Sequence, residues 1–131
     1  MTPVISVMIV DGVVDPARLP TVATGAGAVV DFRGVVRPDE NGEQISALKY
    51  ETYDPMAQQQ MERLAREIAN RHRLLALHVV HSRGEVAVGD VSMIVRACGV
   101  HRAETLAGVG EFVDELKKDV PIWKHVVGTC A

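Results

Sequence analysis

The period of the apolar positions changes several times along the chain, and each change marks an element. Val4 to Val10 is β-branched and apolar and ends at Asp11-Gly12, a turn signal, which predicts a first strand. Asp15-Pro16 sets a capping residue before a proline at the first helical position. A short helix to about Val22 is expected there, interrupted by Pro20. Ala28 to Val36 carries Val29, Val30, Phe32, Val35 and Val36 and reads as a buried strand, with Gly34 marking a bulge or a close backbone approach. Residues Pro38 to Glu43 are turn formers and charges, and Asn41-Gly42 within them is a strong hairpin signal. Ile45 to Tyr53 alternates, so a strand paired back onto the preceding one is expected.

Asp54-Pro55 opens the clearest helix, in which Met56, Met61, Leu64 and Ile68 recur with a helical period up to Arg71. Leu74 to Val80 is a continuous apolar run that Ser82-Arg83-Gly84-Glu85 is expected to break, and Val91 to Ala97 is a further strand after the Gly89-Asp90 turn. From His101 to Lys118, the residues Leu106, Val109, Phe112, Val113 and Leu116 fall on one helical face, and Pro121 stops the helix before a last strand, Ile122 to Val127. The order predicts an α+β fold, a mixed sheet carrying two long helices, in a single domain over residues 1–131.

Composition narrows the function classes. A chain of 131 residues with 47% hydrophobic content can bury about two thirds of its surface, so no disulfide or structural metal is required. A net charge of -3 argues against a general nucleic-acid binder and makes any anion site local. Cys98 and Cys130 have neither a paired spacing nor a histidine at metal-ligand spacing, which fits a reducing compartment without zinc. Cys98 itself reads as a small buried hydrophobe. The opening residues lack a basic stretch before the apolar run and a small-residue cleavage site after it, so they read as a strand rather than a signal peptide. No run approaches the roughly 20 apolar residues of a membrane span, and the cytoplasm is expected.

Several residues carry chemistry, each with a plain structural reading beside it. His101-Arg102 stands where a strand gives way to a helix, an anion-friendly position that also suits a solvated helix start. Arg33 and Arg37 are four apart, which puts both on one face of a strand, where they flank a pocket or face water from an edge. Lys117 and Lys124 bracket Pro121 and can converge, or simply solvate the helix end. Phe32 and Trp123 read as core or interface aromatics, and His81 as a satisfied histidine at a strand end. Asp54, Glu51 and Glu85 read as turn, cap or ion-pair residues. No phosphate loop, Ser-His-Asp set or metal motif occurs.

Taken together, GAVVDFRGVVR at Gly27 to Arg37, YETYDPM at Tyr50 to Met56, HSRGEVAVGD at His81 to Asp90, the His101-Arg102 pair and LKKDVPIWK at Leu116 to Lys124 resemble the molybdopterin synthase large-subunit family over about residues 25 to 125. The resemblance implies an α/β hammerhead fold and a dimer of large subunits with a small ubiquitin-like subunit docked at each end, a heterotetramer. It also implies the reaction: the small subunit's C-terminal Gly-Gly thiocarboxylate delivers sulfur to cyclic pyranopterin monophosphate, and two deliveries make the molybdopterin dithiolene. Lys117 and Lys124 resemble the family's catalytic lysines, while Arg37, His101 and Arg102 would hold the anionic substrate and Phe32 would line the pocket. The resemblance implies no cofactor, since the metal is added later by other proteins.

The chain departs from the family pattern at three places. Ser82 stands where an arginine usually follows the histidine, with Arg83 one place later; Val126 replaces an acidic residue; and the tail after the Trp-Lys pair runs only from His125 to Ala131. These departures leave open a non-catalytic paralogue that binds a phosphate-bearing ligand or a protein, and an unrelated anion-binding regulatory domain is a third reading.

Overall fold

The computed structural model describes residues 2–128, so Cys130 lies outside the described residues. The chain runs β1 (Val4–Asp11), β2 (Ala28–Val35), β3 (Asp39–Glu40), β4 (Glu43–Gln44), β5 (Ala47–Thr52), α1 (Met56–Arg71), β6 (Ala76–Ala87), β7 (Val91–Gly99), α2 (Arg102–Asp119) and β8 (Ile122–Val127). The main sheet has the order β2-β7-β6-β5-β8, antiparallel throughout, with β1 added parallel to β6. This mixed sheet with two long helices is the expected α+β architecture.

The helices form where the pattern places them because each has one apolar stripe to bury. Ala57, Met61, Leu64, Ala65 and Ile68 of α1 and Val109, Phe112 and Leu116 of α2 meet Leu77, Val79 and Val95 of the sheet in the main core. Leu106, expected on that stripe, is exposed, and the stripe runs instead through Thr105, Gly108 and Val109. On the opposite face of the sheet, Val80 and Ile94 close against Val14. Burial on both faces explains why β6 begins with an apolar run broken only by the buried His78. Cys98 is fully buried, in keeping with its reading as a small hydrophobe.

Four expectations change. The strand at Ala47 does not pair with β2; β5 pairs with β6 and β8, because β6 runs on past its pairing with β1 and offers β5 the edge of residues 84–87. Ser82 to Glu85 does not break β6. Gly84 takes a φ of +91° that side-chain-bearing residues rarely adopt, and the strand passes through it from pairing with β1 to pairing with β5. The helix after Asp15 is a single turn, Pro16–Arg18, started by the Asp15 carboxylate accepting from the Ala17 amide and ended two residues before Pro20. Finally, Arg33 and Arg37 do not share a strand face: the register shifts between Gly34 and Val35, and the strand ends at Val35.

The first of the family departures, Ser82 with Arg83 beside it, proves structural. Ser82 is buried, and its hydroxyl donates to the Gly12 carbonyl at 2.6 Å, tying β6 to the end of β1. Arg83, one residue on, bridges Asp11 at 2.9 Å and Asp54 at 2.6 Å. No described helix is long and apolar enough to cross a membrane.

Candidate functional site

A cleft of about 520 Å³ opens between the end of β2, β5, the middle of β6, the start of β7, and the junction of α2 with β8. Its walls follow from local structure. Val36, directly after β2, is buried with Ile45, Leu48 and Val86, and this small cluster anchors the base of the β3-β4 hairpin and aims Arg37 along the cleft rim. Lys117 leaves the last turn of α2, where the negative end of the helix dipole favours a cation. Pro121 turns the chain, and β8 then pairs with β5 so that Lys124 stands directly opposite Tyr50. Residues directly opposite on paired strands share a face, so Lys124 and Tyr50 enter the cleft together.

The structure therefore brings together Phe32, Arg37, Lys117 and Lys124, and Arg33 joins them on the lining. Phe32 is 36% exposed and forms a cleft wall instead of packing into the core. His101 and Arg102 are elsewhere. His101 caps α2 with extended backbone and no side-chain capping bond, and Arg102 is the first helical residue. At 1.5 Å per residue, a straight helix sets Arg102 roughly 22 Å from Lys117. Both residues are exposed, and neither lines the cleft.

Three residues complete the site that sequence reasoning left in other roles. Glu40 of the hairpin reaches Lys124 at 2.8 Å and Arg37 at 3.9 Å. The hydrogen bond from Lys124, helped by the charges of Lys124, Arg37 and Lys117, holds its carboxyl below the usual glutamate range. Tyr50 stands with its ring edge-on to His81, centroids 5.2 Å apart. His81 is only 6% exposed; burial lowers its pKa, so the ring is neutral at pH 7.

The His81 tautomer follows from its partner. A carbonyl only accepts, so Nδ1 must carry the hydrogen that it donates to the Ser82 carbonyl at 2.7 Å, leaving Nε2 bare. Nε2 has no hydrogen-bonding partner among the described residues, and no buried side-chain nitrogen or oxygen there is orphaned. Nε2 therefore opens onto the cleft that the ring lines, as an acceptor among donors. The motif around His81 was visible in the sequence, whereas its place in the cleft depends on β6 continuing through Ser82 and was not.

An aromatic wall, four cations and a neutral acceptor suit a flat, hydrogen-bonding ligand that carries negative charge. Among the described residues, no cluster of three His, Cys, Asp or Glu side chains could hold a metal.

The family model described as MoaE protein matches residues 9–119, from the end of β1 through α2, and includes the cleft's Lys117. The chain belongs to this family. A molybdopterin synthase catalytic subunit from Oryza sativa subsp. indica is 38% identical over 102 residues, 78% of this chain and 53% of that protein. One from Pyrococcus abyssi is 36% identical over 105 residues, 80% of this chain and 71% of that protein. The chain thus spans about half the length of the rice relative. Among solved structures, the crystal structure of molybdopterin synthase from Staphylococcus aureus superposes with a TM-score of 0.85 at 26% identity, covering 95% of this chain and 92% of that one.

Proposed function

We propose that this chain is the catalytic large subunit of a molybdopterin synthase, a sulfurtransferase. It would take sulfur from the thiocarboxylated Gly-Gly end of a small ubiquitin-like subunit and place it on cyclic pyranopterin monophosphate to form the dithiolene. The observation that carries this reading is the convergence of Lys117, Lys124, Arg37 and Phe32 in one cleft from three separate parts of the chain. A thiocarboxylate, a cyclic phosphate and the charge that develops as sulfur is transferred are all negative, and fixed cations in a partly enclosed cleft stabilise them more than water does.

In this reading, Lys117 and Lys124 act at the reacting atoms, Arg37 holds substrate oxyanions, and Phe32 packs on the pterin rings. His101 and Arg102 serve the same reaction from another copy of the chain: the rigid length of α2 keeps them from the cleft of their own copy, while a homodimer can present them to its neighbour's. Two such large subunits with a small partner at each end make a heterotetramer. The cytoplasm, where free thiols such as Cys98 persist, is the proposed location.

The test is single-turnover conversion of the precursor with a thiocarboxylated small subunit, comparing this protein with a folded Lys117→Ala variant. Dithiolene product from the parent and a loss of about 10²-fold or more in the variant are expected for a group that stabilises the transition state electrostatically. A folded parent that binds its partner and yields no product would refute the assignment.

A further inference from the structure

The hairpin above the cleft holds an acid that nothing in the proposed reaction uses. The β3-β4 ladder pairs only with itself, Asp39 with Gln44 and Glu40 with Glu43, around Asn41 and Gly42 with φ of 52° and 84°. Of these residues, Asp39, Asn41, Gly42, Glu43 and Gln44 face solvent, whereas the Glu40 side chain is turned inward and 10% exposed. There it contacts Lys124 and Arg37 and lies within the field of Lys117. Among the described residues it is the sole acidic one lining the cleft, against Arg33, Arg37, Lys117 and Lys124.

An ammonium has three donors and a guanidinium five, but both offer them only within a limited cone toward the cleft. A carboxylate 2.8 Å from Lys124 therefore occupies a direction from which an incoming oxyanion would be received, and its charge repels that oxyanion.

We propose that Glu40 is the cleft's built-in competing anion: it neutralises the Lys124 end of the site when empty and must be displaced by the substrate's anionic group, so that it sets how tightly that group is held. The inference rests on the reading of the cleft as an anion-binding active site. The hairpin is suited to the exchange, since its ladder does not extend into the main sheet and its release from the cleft breaks no pairing there. The displaced carboxylate returns to water, where it is well solvated. Two oxyanions could take its place, the phosphate of the pterin or the terminal carboxylate of the small subunit.

Glu40→Gln keeps the shape and removes the charge, and Glu43→Gln makes the same change in net charge at an exposed position on the same hairpin. Each folded variant and the parent would be titrated with inorganic phosphate and, separately, with a short peptide ending in Gly-Gly, reading the backbone amide shifts of Arg37 and Lys124. Glu40→Gln should bind at least one probe about tenfold more tightly than the parent, a change of about 1.4 kcal/mol. Glu43→Gln should match the parent. A gain confined to phosphate assigns the position to the pterin's phosphate, and a gain confined to the peptide assigns it to the partner's tail. If Glu40→Gln gains for neither probe, because it binds as the parent does, more weakly, or not at all, or if Glu43→Gln gains equally, the inference is overturned. Sulfur transfer is assayed beside these titrations: its absence from the parent defeats the proposed reaction, while the sign of the Glu40→Gln shift still decides whether the carboxylate competes.

Discussion

Replacing His81 with leucine should flatten the dependence of stability on pH between 7.5 and 5.5, and the size of the change can be worked out in advance. Burial lowers the folded-state pKa of His81 from an ordinary value of 6.5. A lowered pKa means that, as the pH falls, the unfolded chain binds a proton before the folded one does, so stability is greatest above 6.5 and is lost on acidification. For a ring that stays neutral in the folded protein down to pH 5.5, the loss between pH 7.5 and 5.5 is about 1.4 kcal/mol. His78 is also buried, and desolvation, reinforced by the charge of Arg96, lowers its pKa too. The parent should therefore lose more on acidification than His81→Leu, which keeps only the contribution of His78. Leucine also forfeits the bond to the Ser82 carbonyl and the contact with Tyr50, which shifts the whole curve. The readout is therefore the difference between the two pH values within each protein, from urea melts with matched m-values. A variant that loses as much stability on acidification as the parent would show that His81 titrates alike in the folded and unfolded chains, and the claim that burial holds its ring neutral would fall.

Two further outcomes follow from other parts of the fold. Gly99→Ala would set a Cβ 2.1 Å from the Thr105 hydroxyl oxygen, whose hydrogen bond to the His101 carbonyl holds the start of α2. A loss of about 1–3 kcal/mol in denaturant unfolding is expected, and a substitution neutral within error would mean that the helix start is looser than its packing implies. Mixing Lys117→Ala chains with Arg102→Ala chains should restore activity that neither has alone, up to about a quarter of the sites if copies exchange at random into symmetric dimers. No recovery after confirmed exchange would show that Arg102 does not serve the site of a neighbouring copy.

The parts of the structure that were legible in the sequence are those fixed by local periodicity. The stripe Met61, Leu64, Ile68 can be satisfied only by a helix packed on something apolar, and α1 spans Met56–Arg71 where a helix opening at Asp54-Pro55 and ending about Arg71 was expected. The strand from Ile122 was equally visible, since Pro121 ends one element and the β-branched residues after it favour the next. Pairing was less legible. Nothing within Ala47 to Thr52 says which strand will take its edges, and proximity in sequence suggested β2 where the fold supplies β6 and β8. Ser82-Arg83-Gly84-Glu85 misled for a different reason. Glycine with polar neighbours usually signals a turn, but here the positive φ of Gly84 lets a long strand change partners, and the polar neighbours are consumed by Gly12, Asp11 and Asp54.

The candidate site divides along the same line. Lys117 and Lys124 could be anticipated together because one short turn separates their elements, and Arg37 because it follows an apolar strand. Glu40 could not, since a glutamate in a run of turn formers carries no local mark of facing inward; its orientation is decided by Val36 and Ile45 anchoring the hairpin and by cations that arrive from 77 and 84 residues further along the chain. His101 and Arg102 show the opposite case. Their motif was plain in the sequence, yet a rigid helix carries them away from the cleft that their chemistry suits. A helix of this length cannot bend its first turn onto its last, so the pair either serves a neighbouring copy or has no part in the reaction, and only the first alternative gives restored activity when complementary variants are mixed.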